Sequence, residues 1–262
     1  MVTMKKNYAV LTYNIGGYEL MKEIKEKSPN ANYYYVTDDR TLTSSTWEMI
    51  YVDNPHPEDN FDLCYDIRFN PFKYVKEDIV IRIDGSMKVI GNTDELIDMF
   101  NAGNYDISLC IHPGRNTMFE EYKTWCACRG YKPEQANRCL SYMANMEGYD
   151  VVNYKGLYQY NFMIQRKNKV NLDLNRMTLA VLKYLAEDGK QIERIDQTIG
   201  SFILNKYFAG NINVMAVDQR IAFSKYFEWY AHHSNMKFGK AGNLIQPYLF
   251  NQPIEVTEIE EV

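Results

Sequence analysis

The sequence of 262 residues lacks several patterns that would place it in a common class at once. It contains neither a G-x-G-x-x-G fingerprint nor a Walker sequence, which disfavours the classical dinucleotide-binding and P-loop classes. No apolar run reaches the length of a membrane span, and we expect no signal peptide. Basic residues are too few for a general nucleic-acid binder, because 29 Lys and Arg oppose 34 Asp and Glu and the net charge is −5.

Cysteine is also scarce and irregularly spaced. The chain has five Cys, an odd number, and Cys126 and Cys128 point to different faces of a helix, which disfavours a shared zinc site. We therefore expect a reduced, cytoplasmic protein whose thiols are core residues. Aromatic residues are abundant instead: 22 Tyr and 12 Phe suit packing between strands as well as stacking on sugars and bases.

Strand-like and helix-like patterns alternate along the chain, which predicts an α/β fold with a mainly parallel sheet and helices on both faces. Short β-rich runs predict strands at 8–13, 32–37, 47–52, 78–83, 106–111, 157–165 and 212–217. Amphipathic patterns and caps predict helices at 19–27, 69–75, 94–100, 116–129, 133–147, 173–188 and 193–207. We expect one domain over residues 1–250, followed by an acidic tail at 251–262.

Polar residues cluster where several predicted strands end. In open α/β sheets, ligands bind outside the carboxyl ends of the strands. The residues at these ends are Asn14, Gly16, Gly17, Asp38, Asp39, Asp84, Gly85, Ser86 and His112 to Arg115. Their convergence predicts a ligand site at this edge of the sheet.

Asp84 is the sharpest candidate, because it directly follows the apolar strand IVIRI. A carboxylate in this place can hold a divalent ion that neutralises a departing diphosphate. Asp-Gly is also a common turn signal, so Asp84 can equally cap the turn that follows. Both interpretations stay open on spacing alone.

Other charged residues have a functional and a structural interpretation. Arg68 and Lys73, five residues apart, could both reach phosphate oxygens, or they could be solvated surface charges. His112 could bind a metal or a substrate hydroxyl, or cap its Pro-Gly turn. Of the adjacent His232 and His233, at most one is expected to be a ligand, since neighbours on a regular element point apart.

Eight ordered segments resemble a known family. They are YNIGGYEL, YYVTDD, Trp47, DIRFNPFK, IRIDGSMKV, IHPGRNTMFEE, LYQYNFMIQR and RIDQ. In this order, over about residues 8–207, the chain is similar to the glycosyltransferase-like family typified by plant mucilage and cell-wall proteins. That resemblance implies a GT-A-like, Rossmann-type fold related to the glycogenin-type transferases.

The resemblance also implies a nucleotide-sugar-dependent, hexosyltransferase-like enzyme of polysaccharide biosynthesis. A donor with a nucleotide diphosphate, UDP by preference, would give its sugar to a glycan acceptor, with retention of configuration by analogy. The implied nucleotide-sugar site consists of Thr12, Tyr13, Gly16, Gly17, Asp38, Arg68, Lys73, Asp84, His112 and Arg115. The implied catalytic and sugar-facing residues are Asp84, Asn161, Asp196 and Gln197, with Glu120 in the His-Pro-x-Arg…Glu segment.

The chain departs from the Asp-x-Asp pattern of GT-A enzymes, because position 82 is Arg82. The expected cofactor is Mn²⁺ or Mg²⁺ on Asp84, with His232 or His233 as a second ligand. Metal-independent donor binding, with Arg82 or Lys73 in place of the ion, is the competing prediction. The alternative function is a catalytically inactive GT-A-like domain that binds a glycan or a protein.

Overall fold

The computed structural model describes residues 7–129, 133–186, 196–218 and 225–230. The strands are β1 (Tyr8–Asn14), β2 (Ala31–Thr37), β3 (Glu48–Tyr51), β4 (Ile79–Ile83), β5 (Met87–Val89), β6 (Ile107–Ile111), β7 (Tyr158–Arg166), β8 (Val214–Val217) and β9 (Phe227–Trp229). The helices are α1 (Phe61–Phe69), α2 (Asp94–Ala102), α3 (Met118–Arg129), α4 (Pro133–Ser141), α5 (Lys169–Leu185) and α6 (Asp196–Tyr207). A 3₁₀ turn at Pro71–Lys73 follows α1, and a π turn at Tyr142–Met146 extends α4.

Seven strands form one sheet in the order β3-β2-β1-β4-β7-β6-β8, and β5 pairs with β9 in a second, two-stranded sheet. Within the large sheet only β7 runs antiparallel to its neighbours, β4 and β6. The predicted α/β class, with a Rossmann-type sheet that is mainly parallel, is confirmed. All seven strands predicted for this sheet are present, with ends that differ by one or two residues.

Apolar side chains cover both faces of the sheet. One face packs on α2, β5 and β9 through residues such as Phe100, Phe162 and Phe227. The opposite face packs on the other helices, with Phe202 of α6 and Leu182 of α5 in its largest cluster. Burial on both faces explains why the central strands are near-continuous apolar runs.

The chain order reverses between β1 and β4. After β1 the chain builds β2 and β3 on one side, and then crosses to place β4 on the other side of β1. Such a switch point leaves a crevice at the carboxyl ends of the two strands. The chain after β4 lies close to the end of β1: a Cβ on Gly85 would lie 2.7 Å from the carbonyl oxygen of Tyr13, so glycine is the residue that fits after Asp84 without a shift.

The helix predicted at 19–27 is wrong, since this segment is irregular. Its backbone groups bond to other parts of the chain instead: Glu19 N–H donates to the Asn14 side chain at 2.8 Å, and Lys25 N–H donates to the Val89 carbonyl at 2.9 Å. The Lys22 carbonyl accepts from the indole of Trp47 at 2.9 Å. The bonds of Lys22 and Lys25 satisfy an acceptor and a donor that a helix would have paired internally.

The short helix predicted at 69–75 is present only as the 3₁₀ turn at Pro71–Lys73, and the longer helix α1 precedes it and ends at Phe69. Pro71 disfavours helical geometry at Asn70, which accounts for the boundary. Among the described residues, no helix is both long and apolar enough to cross a membrane. The expected acidic tail at 251–262 lies outside the described part of the chain.

Candidate functional site

Arg68 is the centre of a charged cluster at the switch point. It lies in the last turn of α1, and its side chain is 15% exposed. Nη2 donates to Asp84 Oδ1 at 2.8 Å, Nε donates to the Tyr13 hydroxyl at 3.0 Å, and Nη1 forms an ion pair with Asp196. The Arg68 guanidinium therefore joins α1 to three other segments, one of which is the start of α6.

Asp84 is held by two arginines. Its Oδ1 accepts from Arg68 and from Arg82 Nη1, both at 2.8 Å, while its own N–H donates to the Asn161 carbonyl at 2.9 Å. The turn after β4 is closed by the Asp84 backbone, whose carbonyl accepts from Met87 N–H at 2.9 Å. The carboxylate is thus an ion-pair partner whose side chain remains 26% exposed to solvent.

Arg82 is a buried charge within β4. Its side chain is only 1% exposed, and Nη2 donates to the Tyr160 carbonyl. Burial, and then the nearby Arg68 guanidinium, lower the pKa of Arg82 to about 10, which still leaves it charged at neutral pH. Because a buried cation is costly without partners, the Asp84 carboxylate is the counter-ion that this strand requires.

A register shift in the pairing of β6 with β7 lies beside the cluster. The pairing of β6 with β7 shifts between Leu109, which faces Met163, and Cys110, which faces Gln159, so residues 160–162 are passed over. Such bulges re-aim side chains, and they are common beside active sites. The Tyr160 ring is thereby packed against Gly200 of α6, where an added Cβ would lie 2.5 Å from the ring.

Asn161, which the family resemblance placed at the sugars, is next to this bulge. Its side-chain Oδ1 is buried, and it has no hydrogen-bond partner among the described residues. A buried unpaired amide oxygen costs free energy, and a contact with a ligand is one explanation for it. The position is consistent with the predicted role, which stays a prediction.

A second polar cluster adjoins the first through α6. Buried Glu121 accepts from Arg115 Nε, from the Trp125 indole and, at 2.8 Å, from the Gln197 amide. His112 lies 3.8 Å from the same carboxylate. Because Gln197 follows Asp196, this network fixes the beginning of α6, and with it the carboxylate that pairs with Arg68.

His112 is neutral in this setting. Its Nδ1 accepts from the backbone N–H groups of Gly114 at 3.2 Å and Arg115 at 3.0 Å. Burial, and then the Arg115 guanidinium, lower the pKa of His112 to about 3. Glu120, which the resemblance pointed to, lies on the surface and accepts from Asn116 N–H at 2.6 Å at the start of α3, whereas Glu121 joins the cluster.

The loops after β1 and β2 form a polar rim beside the cluster. Gly16 and Gly17 adopt positive φ angles of 66° and 64°. Gly16 N–H donates to Asp38 Oδ1 at 2.9 Å, and Asn54 donates to Asp38 Oδ2 at 3.0 Å. Thr12 is buried one residue before Tyr13, so its side chain points to the opposite face of β1.

Lys73 does not join the described cluster. Lys73 Nζ pairs with Asp66 at 2.7 Å, and its side chain is 63% exposed. His232 and His233 lie outside the described residues. Of the predicted phosphate-binding pair, Arg68 is therefore the residue that the structure brings to the switch point.

A divalent cation does not fit the described residues. In the described part of the chain, no three His, Cys, Asp or Glu side chains are grouped as metal ligands. Asp84 is the one predicted ligand with a described position, and one of its oxygens already accepts from two guanidiniums. A hard cation such as Mg²⁺ or Mn²⁺ prefers several oxygen ligands, and positive neighbours repel it.

A cavity of about 320 Å³ lies away from this cluster. It is lined by residues of α1 and α5. Its polar lining residues include Asn54, His56, Asp59, Asp62, Asp66 and Lys183. The charged cluster lies instead at the strand ends, so cavity size and chemistry point to different places, and the ion-pair geometry favours the cluster.

Comparisons with known proteins find similarity to solved structures. No protein-family model and no curated protein sequence match the chain. The crystal structure of apo mouse xyloside xylosyltransferase 1 is similar over 82% of this chain and 86% of that chain, with a TM-score of 0.45 and 11% identity. At these values the likeness assigns no role to any residue, and the resemblance to the plant mucilage family stays a prediction.

Proposed function

We propose that this protein is a glycosyltransferase that takes a sugar from a nucleotide-diphosphate donor. The observation that carries the proposal is Arg68, a partly exposed guanidinium held at the β1–β4 switch point by Asp84, Asp196 and Tyr13. A guanidinium has five N–H donors, and these three contacts use three of them. The remaining two N–H groups suit a phosphate oxygen pair.

The chemistry requires stabilisation of charge on the departing diphosphate. A positioned guanidinium in a partly buried site interacts more strongly with that charge than it would in water. Arg68 would bind the diphosphate, the rim of Gly16, Gly17 and Asp38 would receive the nucleoside, and Asn161 would face the donor sugar. A UDP donor, a glycan acceptor and a retaining outcome follow from the family resemblance and form part of the proposal.

The experiment measures release of nucleoside diphosphate from a panel of UDP-, GDP- and ADP-sugars, with oligosaccharide acceptors or water. We expect turnover with at least one donor, and a fall in kcat/KM of about 10- to 100-fold in Arg68→Gln, the range for one lost charged hydrogen-bonding group. The control is Arg176→Gln, which removes an exposed cation on α5 and should leave turnover unchanged. No turnover with any donor and no thermal shift with any nucleotide would refute the proposal.

A second candidate is an inactive domain of the same fold that binds a glycan or a protein. The observation that favours it is the occupation of both central carboxylates, Asp84 and Asp196, by ion pairs with Arg68. Nucleotide or glycan binding without turnover, across the whole donor panel, would select this candidate over the enzyme.

A further inference from the structure

We infer that the donor diphosphate is bound without a divalent cation, by Arg68 acting in the place of the ion. This inference rests on the proposed function and concerns how that site recognises its ligand. It is argued from the ion pairs at Asp84, from the charge balance of the cluster and from the support of Arg68.

The ion pairs leave Asp84 poorly suited to a metal. Oδ1 lies 2.8 Å from Arg68 Nη2 and 2.8 Å from Arg82 Nη1, so two guanidiniums already surround this oxygen. The strand position that could supply a second carboxylate is filled by Arg82 itself, which is buried and cannot turn away. A cation bound to Oδ2 would lie close to both positive groups.

The charge balance points the same way. Arg68 and Arg82 contribute two positive charges, and Asp84 and Asp196 contribute two negative charges, so the tetrad has no net formal charge. Neither a cation nor an anion therefore gains net Coulomb attraction from the tetrad as a whole, and the groups that can contact a ligand decide which one binds. The three described contacts of Arg68 use three of its five N–H groups, so an anionic diphosphate can accept from the other two, and the Arg68 side chain is 15% exposed whereas that of Arg82 is 1% exposed.

The contacts of the Arg68 guanidinium also hold it in place for this role. Tyr13, Asp84 and Asp196 fix all three nitrogens of the guanidinium before a ligand arrives. Less side-chain freedom is then lost on binding. The Asp196 contact is held in turn by Gln197, whose amide donates to buried Glu121 at 2.8 Å. A metal ion commonly supplies such a fixed positive charge, and here the fold supplies it.

The test is a calorimetric titration of the whole chain with UDP, and with GDP and ADP in parallel, in EDTA and then in Mn²⁺. We expect the Kd of the bound nucleotide to agree within about threefold in the two conditions. Arg68→Gln should weaken binding about 10- to 100-fold in EDTA, and Arg176→Gln should not change it. Arg68→Lys, which keeps the charge but loses the fork, should be intermediate, and circular dichroism checks that each variant is folded.

The outcomes separate this inference from the function itself. Binding that requires Mn²⁺ would overturn the inference and leave the proposed transferase standing, with ligands in residues such as His232 or His233. Binding in EDTA that is indifferent to Arg68→Gln and Arg68→Lys would overturn the role of Arg68. No binding of any nucleotide in either condition would overturn the proposed function, and the inference with it.

Discussion

Removal of the Asp84 carboxylate should destabilise the fold through Arg82. In Asp84→Ala, the 1% exposed Arg82 side chain keeps the Tyr160 carbonyl but loses the oxygen 2.8 Å from its Nη1. Breaking a buried ion pair costs about 3–5 kcal/mol. Because the Asp84 side chain is 26% exposed and water can enter, we expect a loss of about 2–4 kcal/mol in the free energy of unfolding.

Urea unfolding at neutral pH, followed by circular dichroism, measures this change. The double variant Arg82→Met/Asp84→Ala removes the buried charge together with its partner, so it should recover at least about half of the lost stability. The matched control is Asp53→Ala, which breaks an equally short 2.8 Å pair with Arg40 at a site where Asp53 is 91% exposed. We expect the control to change the free energy by less than about 1 kcal/mol.

Two results would refute this reasoning about Arg82. One is an Asp84→Ala variant that is as stable as the Asp53→Ala control. The other is a double variant that is no more stable than Asp84→Ala, because the cost would then not arise from an unpaired buried guanidinium.

Two further predictions concern the neighbouring packing and pH dependence. Gly200→Ala should lower the free energy of unfolding by about 1–3 kcal/mol, because the added methyl group displaces the Tyr160 ring. Gly114→Ala has open space around it and should be nearly neutral in the same urea assay. Equal effects of the two substitutions would contradict the packing of Tyr160 on Gly200. The pKa of His112 is lowered to about 3 when folded, so the unfolded state binds the extra proton and stability falls as the pH drops below the unfolded pKa of about 6.5. We expect His112 to lower the free energy of unfolding by about 2 kcal/mol between about pH 7 and about pH 5. In His112→Asn, the free energy of unfolding should fall by about 2 kcal/mol less over the same range. An unchanged pH dependence in this variant would show that His112 is not buried as a neutral ring.

The sheet and its ligand edge could be predicted from the sequence because strand ends are local signals. The run Ile79–Ile83 is apolar apart from Arg82, and Asp-Gly marks its end. Arg82 also predicts its own partner, because a charge in a buried strand requires a counter-ion and Asp84 is two residues away on the chain.

The rest depends on contacts between distant segments. The meeting of Arg68 with Asp196 joins residues in α1 and α6, and no local pattern specifies that packing. The resemblance pointed to Glu120, but Glu121 occupies the second cluster because of the orientation of α3. The Glu120 carboxylate bonds to the backbone at the N-terminus of α3, and the Glu121 carboxylate is buried. The irregular segment at 19–27 has helix-like spacing, but tertiary hydrogen bonds override it.

The most direct test of the proposed site is a crystal structure with UDP, or with whichever nucleotide diphosphate binds, grown in the presence of EDTA. The account predicts diphosphate oxygens within hydrogen-bond distance of Arg68 at the β1–β4 switch point, with Asp84 still paired to Arg82. A nucleotide bound in the cavity between α1 and α5, or a diphosphate that makes no contact with Arg68, would contradict it.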